Sequence, residues 1–263
     1  MKLPIYYIDT FTENIFQGNP AAVVVIKENL HSKTMQSIAS ENNLSETAFV
    51  NVSSSPYLIR WFTPTVEVDL CGHATLASSR ILFDEYLPSD CSQMIFNSKN
   101  RGKLKAFKRR DMIYLDFPAD QPEEVEQNKL IAQGLGEPPL KTFRGKDDYL
   151  AVFNNEEIIQ DILPDFKTIS QLDSRGLIIT ALGEVNDFVS RFFSPQSGVD
   201  EDPVTGSAHT LLIPYWHSIL GKKKFSAKQL SLRSGNVECE LIKDRVLIGG
   251  KTVRYLEGEI LIK

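Results

Sequence analysis

One stretch of the chain occurs twice. Residues 60–75 read RWFTPTVEVDLCGHAT, and residues 191–210 read RFFSPQSGVDEDPVTGSAHT. Arg60, Phe62 and Pro64 align with Arg191, Phe193 and Pro195, and Val68-Asp69 aligns with Val199-Asp200. The second copy then carries three additional residues, Glu201-Asp202-Pro203. After them Cys71, Gly72, His73 and Ala74 align with Thr205, Gly206, Ser207 and Ala208. The copies stand half a chain apart in 263 residues. A repeat that long is not a solenoid unit. It implies two versions of one domain of about 130 residues, each large enough to bury its own core, arranged about a pseudo-twofold axis. The expected domains are residues 1–112 and 113–263, with a last strand at 259–263 that can cross back to the first half.

The flanking patterns agree. Residues 5–8 and 22–26 read as strands around the turn signal Gln17-Gly18-Asn19-Pro20. Residues 30–42 read as a helix, and 47–52 and 57–62 as strands. In the second half 112–117, 149–153, 176–181 and 187–193 read as strands, with a short helix at 158–163. The tail offers strands at 230–233, 237–243, 245–249 and 259–263. The fold class is α/β (α+β), rich in sheet, and not a run of regular βαβ units. The segments after each motif, HATLASSRILFDEYL and SAHTLLIPYWHSIL, are apolar on most faces and so belong to buried helices. Each domain is therefore expected to be a mixed sheet barrel around a central helix. Pro214 is expected to kink or break the second helix.

The helix starts carry the functional signal. A first helical turn leaves backbone N–H groups unpaired and holds the positive end of the dipole, which suits an anion. Gly72 and Gly206 let a ligand approach the backbone closely. Two such starts facing one cleft would bind a small carboxylate. Asp202 lies within a turn of the second start and is held extended by Pro203. Glu46 opens an apolar strand, where a carboxylate is costly unless it is paired or used, and partial burial there suits a general acid/base. Its alternative role is a surface or capping residue. His73 can donate to a substrate oxygen or cap its helix. Cys71, at a helix start, is expected to have a lowered pKa and could act as a base, but its counterpart is Thr205. Ser207 lacks a nucleophile-elbow motif, and His31 reads as a surface residue. His209 and His217 lack metal-binding spacing, so no metal is expected. There is no phosphate-binding loop and no dinucleotide glycine fingerprint, so no cofactor is expected.

Composition narrows the partners. A formal net charge of −5 gives no electrostatic case for nucleic acid or an anionic membrane. No run approaches a membrane span, and the N-terminus does not read as a signal peptide. Three widely spaced cysteines read as free thiols of a cytoplasmic protein.

Asp9-Thr10-Phe11, Phe16 to Ala22, Ser45 to Phe49, Arg60 to Pro64, Cys71 to Thr75 and Asp200 to His209 together resemble the phenazine biosynthesis PhzF-like isomerase family. The resemblance runs from Asp9 to about Trp216. It implies the diaminopimelate epimerase-like fold, with two similar domains and the active site in the cleft between them. It implies a cofactor-independent isomerase in which Glu46 moves a proton between carbons of a small carboxylate-bearing metabolite. Asp202 would bind and assist, and Gly72, His73, Gly206 and Ser207 would surround the substrate. A homodimer is compatible with that fold. Related epimerases use two cysteines at the helix starts, and this chain keeps Cys71 alone. The alternatives are an epimerase or racemase pairing Cys71 with a carboxylate, and a non-catalytic metabolite binder.

Overall fold

The computed structural model describes residues 1–100 and 102–262. Lys263, the end of the expected strand 259–263, lies outside the described residues. The chain forms two compact units, Met1–Asp116 with Gly249–Lys263, and Phe117–Ile248. The boundary thus falls after residue 116 instead of 112, and the last fifteen residues join the first unit.

The first half of the chain supplies β1 (Lys2–Thr10), β2 (Asn19–Ile26), α1 (Ser32–Asn42), β3 (Glu46–Asn51), β4 (Tyr57–Phe62) and β5 (Glu67–Val68). There follow α2 (Gly72–Ile81), continued by a π-helical turn at Leu82–Tyr86, then β6 (Gln93–Ser98), β7 (Gly102–Arg109) and β8 (Met112–Pro118). Next come β9 (Glu123–Val125), α3 (Lys129–Leu135), β10 (Lys141–Arg144), β11 (Asp148–Val152), α4 (Glu156–Asp161) and α5 (Phe166–Ile169). The chain continues with β12 (Gly176–Leu182), β13 (Phe188–Ser194), β14 (Val199–Glu201) and α6 (His209–Leu220). It ends with β15 (Lys224–Gln229), β16 (Gly235–Ile242), β17 (Arg245–Gly250) and β18 (Thr252–Leu261).

The duplicated motif sits in duplicated topology. In the first unit β1–β2 is antiparallel, β2–β3 parallel, β3–β4 antiparallel and β4–β6 parallel. In the second unit β10–β11 is antiparallel, β11–β12 parallel, β12–β13 antiparallel and β13–β15 parallel. Each motif arginine ends on the same contacts. Arg60 pairs with Glu67 at 2.7 Å and lies over Phe62, while Arg191 pairs with Glu201 at 2.8 Å and lies over Phe193. Strand β18 pairs along β1 from Lys2↔Leu261 to Thr10↔Thr252, which places the chain's end in the first unit.

Each unit buries one helix. In α2 every residue except Gly72 and Arg80 is buried, and the helix packs on β1, β2 and β3. In the second unit the helix begins as a 3-10 turn, Gly206–Ala208, and passes into α6. Of the kink or break expected at Pro214, the break does not occur. The ring removes the N–H that would bond Thr210 O, and the Asp120 amide bonds that carbonyl instead at 3.0 Å. The helix therefore runs on to Leu220. Trp216 stacks on Phe188 with centroids 5.4 Å apart and donates its indole N–H to Thr180 Oγ1.

Other expectations move by a few residues, and one fails. Residues 230–233 form no strand; the strand before them is β15, and Leu230 follows it with its N–H on Ser190 O. No helix among the described residues is long and apolar enough to cross a membrane.

Candidate active site

In the first unit the site is assembled from three elements. The turn before β2 needs Gly18, which has φ +66° and whose added Cβ would lie 2.0 Å from Thr10 O. That turn delivers Asn19, fully buried, to the start of β2. Glu46 is the first residue of β3, in parallel register with Ala21. Cys71 is the N-cap of α2 and makes no side-chain cap hydrogen bond, so the first-turn N–H groups are left for another acceptor.

His73 is the hub. Its Nε2 lies 3.2 Å from Glu46 Oε2, and its Nδ1 lies 3.2 Å from the Asn19 amide and 3.5 Å from Cys71 Sγ. The ring therefore faces inward and does not cap its helix. The Glu46 contact is an ion-pair distance, not an aligned hydrogen bond: Oε2 is buried and has no well-directed donor among the described residues. In the neutral ring the Asn19 amide donates to Nδ1 and the proton sits on Nε2, facing Glu46. The charged ring needs the amide oxygen there instead, a half-turn of the Asn19 side chain.

Burial disfavours charge on His73, but the neighbouring Cys71 and Glu46 outweigh it and hold the imidazole well above its ordinary range. Burial first, then the Glu46 charge, pushes the Cys71 thiol up to about 11. Of the two neighbours that raise the imidazole, Cys71 acts first and Glu46 second. The expected lowering of the Cys71 pKa is thus reversed: a dry pocket and a nearby carboxylate overcome the helix dipole.

In the second unit the additional residues of the motif are clamped by Gln229, which is fully buried at the end of β15. Gln229 Oε1 accepts from Thr205 N at 2.8 Å, and Nε2 donates to Asp202 O at 2.7 Å. Thr205 Oγ1 donates to Asp202 Oδ2 at 2.6 Å. Arg175 donates to Ser207 Oγ at 2.9 Å and is gripped through Nε and Nη2 by the buried carboxylate of Asp148. Because that hydroxyl oxygen already accepts, Ser207 has its own proton to offer elsewhere. Burial pushes the Asp148 carboxyl up against the opposing pull of Arg175. His209, one turn into the helix, donates from Nδ1 to Thr205 O at 3.0 Å, and burial lowers its pKa to about 4, so it is neutral.

The predicted residues thus fall into two groups: Glu46, Gly72 and His73 in the first unit, and Asp202, Gly206 and Ser207 in the second. Asn19, Gln229, Arg175 and Asp148 were not foreseen. Asn19 had a signal, since it belongs to a turn already recognised in the sequence. Gln229, Arg175 and Asp148 had none, because their roles arise from strands brought alongside the motif by the fold.

The fold is shared with a distant solved structure. A protein of Pseudomonas aeruginosa described as a predicted epimerase shares it with a TM-score of 0.72 at 16% identity, over 99% of this chain and 100% of that one. More specific likenesses follow. The model of the phenazine biosynthesis-like protein family matches residues 8–258. An uncharacterized isomerase of Halalkalibacterium halodurans is 46% identical over 100% of both chains. The crystal structure of a PhzF-family phenazine biosynthesis protein from Enterococcus faecalis aligns with a TM-score of 0.96 and 43% identity over 100% of both chains. The chain belongs to the PhzF-like, phenazine biosynthesis-like family, and its function is of the isomerase type.

Proposed function

We propose that the protein is a cofactor-independent isomerase that moves a proton between carbons of a small carboxylate-bearing metabolite, with Glu46 as the general acid/base. The observation that carries this reading is the half-buried Glu46 carboxylate set 3.2 Å from a buried imidazole that Cys71 and Glu46 together hold above its ordinary range. A carboxylate so placed can take a proton from an activated carbon and return it to another position. The adjacent imidazolium balances its charge before the proton arrives and can reprotonate an oxygen or carbon of the substrate afterwards. Positioned acid–base catalysis of this kind contributes about 10² to 10⁴ in rate.

The remaining groups bind and orient. In the first unit the uncapped first turn at Gly72 favours a carboxylate; in the second the uncapped turn at Gly206 does the same, and Ser207, its oxygen held by Arg175, can donate its hydroxyl proton. Asp202, fixed by Thr205 and by the Gln229 clamp on its backbone, takes the substrate's cationic or hydroxyl group. The competing reading, a Cys71 base paired with a carboxylate, is disfavoured by the protonated thiol.

The test is proton exchange in deuterated water with a panel of small unsaturated and amino-substituted carboxylates, followed by NMR. Wild-type protein should wash deuterium into at least one of them, and Glu46→Gln should lose that exchange while its circular dichroism is unchanged. Exchange by the variant at the wild-type rate would remove Glu46 from the mechanism.

A further inference from the structure

We propose that Glu46, Cys71 and His73 also form a site for Zn²⁺, and that the bound ion holds the enzyme inactive by occupying its acid/base. The site stands on the donor set, and its inhibitory effect rests on the isomerase reading of Glu46. One carboxylate oxygen, one sulfur and one imidazole nitrogen, from the start of β3 and the start of α2, lie within 4.8 Å of one another. Nε2 stands 3.2 Å from Glu46 Oε2 and 4.0 Å from Cys71 Sγ. Donors around a tetrahedral zinc, at bond lengths of about 2.0 to 2.3 Å, stand about 3.3 to 3.7 Å apart. Closing the three on an ion therefore needs movements of about an ångström or less at each atom.

The chemistry selects the ion. A sulfur and an imidazole favour zinc over magnesium or calcium, which prefer oxygen. Three protein ligands leave a fourth position open, the pattern of zinc sites that keep an exchangeable ligand. Asn19, against Nδ1, fixes the ring so that Nε2 is the nitrogen presented. Coordination replaces protons: the Cys71 thiol proton and any second imidazole proton pass to the buffer as the Zn–S and Zn–N bonds form. The ion then neutralises the Glu46 carboxylate, and no base remains.

The probe is Co²⁺, added to the full-length protein and followed by absorbance, with Zn²⁺ titrated by calorimetry in buffers of different ionisation enthalpy. The expected result is one equivalent of Co²⁺ with a thiolate-to-cobalt charge-transfer band, displaced by Zn²⁺ with release of protons. Cys71→Ser should abolish the band and weaken Zn²⁺ by more than about 100-fold, beyond the roughly 10- to 100-fold cost of a change outside the ligands. Cys239→Ser should leave both unchanged, since that buried thiol lies outside the cluster. Should the serine variant at 71 not fold, Glu46→Gln, which keeps the side chain's size, should show the same weakening. No band, or binding indifferent to Cys71 and Glu46, would overturn the proposal. Neither result depends on turnover, so the isomerase reading is judged separately.

Discussion

The two copies of the motif start their helices alike and then treat protons in opposite ways. At the first start, a buried histidine is held charged beside a carboxylate and a thiol. At the second, a histidine buried as deeply is stripped of its charge, and the charges stand off at Asp202, Arg175 and Asp148. The cause is local. Glu46 enters the first unit at the head of β3, whereas His209 meets the backbone of Thr205 and Gly206 and the ring of Phe188. A shared backbone frame thus holds one start with a raised histidine and one with a neutral histidine.

The largest expected effect separates these roles. Glu46→Gln should lower turnover by about 10² to 10⁴, whereas Ser207→Ala should mainly raise KM, because it removes a binding hydrogen bond and leaves the base in place. Equal losses in kcat from both would erase the distinction.

Stability should differ between the copies as well. Arg191 pairs with Glu201 and also donates to the buried carbonyls of Ile159 and Ile162. Arg60 pairs with Glu67, lies over Phe62 and donates to the hydroxyl of Ser32. Arg191→Met should therefore cost about 3 kcal/mol and Arg60→Met about 1 kcal/mol, read by urea denaturation.

A comparable effect, about 3 kcal/mol, is expected from acid. His209 titrates near its ordinary pKa when unfolded but at about 4 when folded, so the unfolded chain binds the extra proton. The stability it confers is intact above pH 6.5 and is lost as pH falls from there toward 4. His209→Phe should flatten that arm of a melting-temperature profile, and an unchanged arm would mean another group unfolds the protein. The smallest expected effect is that of Cys71→Ser on turnover, within about threefold of wild type as measured by initial rates, since a thiol that stays protonated is not the base.

Much of this was legible in the residues. The repeat foretold two units of matching topology, because a duplicated pattern of strand, turn and buried helix has few ways to fold. Tyr57–Phe62 was read with its observed bounds, since its ends are marked by Pro56 and Pro64. The hairpin strand Gly102–Arg109 passed unread although Lys103-Leu104-Lys105-Ala106-Phe107 alternates, and Leu104 and Ala106 are its buried side. Residues 230–233 misled in the other direction, as an apolar start that is loop. Glu46, His73 and Asp202 were singled out in the sequence because they lie in or beside the motifs. Arg175, Asp148 and Gln229 were not, because a clamp made by side chains on separate strands leaves no linear pattern. Nor could the sequence foretell the upward shift of the Cys71 thiol, which depends on dryness and on where Glu46 ends up.

The division of labour between the two starts can be read directly by NMR titration of the two buried imidazoles in ¹³C-histidine-labelled protein. His73 should stay protonated well above pH 6.5 in wild type and titrate far lower in Glu46→Gln, while His209 remains neutral down to about pH 4 in both. A His73 that is neutral at pH 7, or indifferent to the loss of the Glu46 charge, would contradict the account.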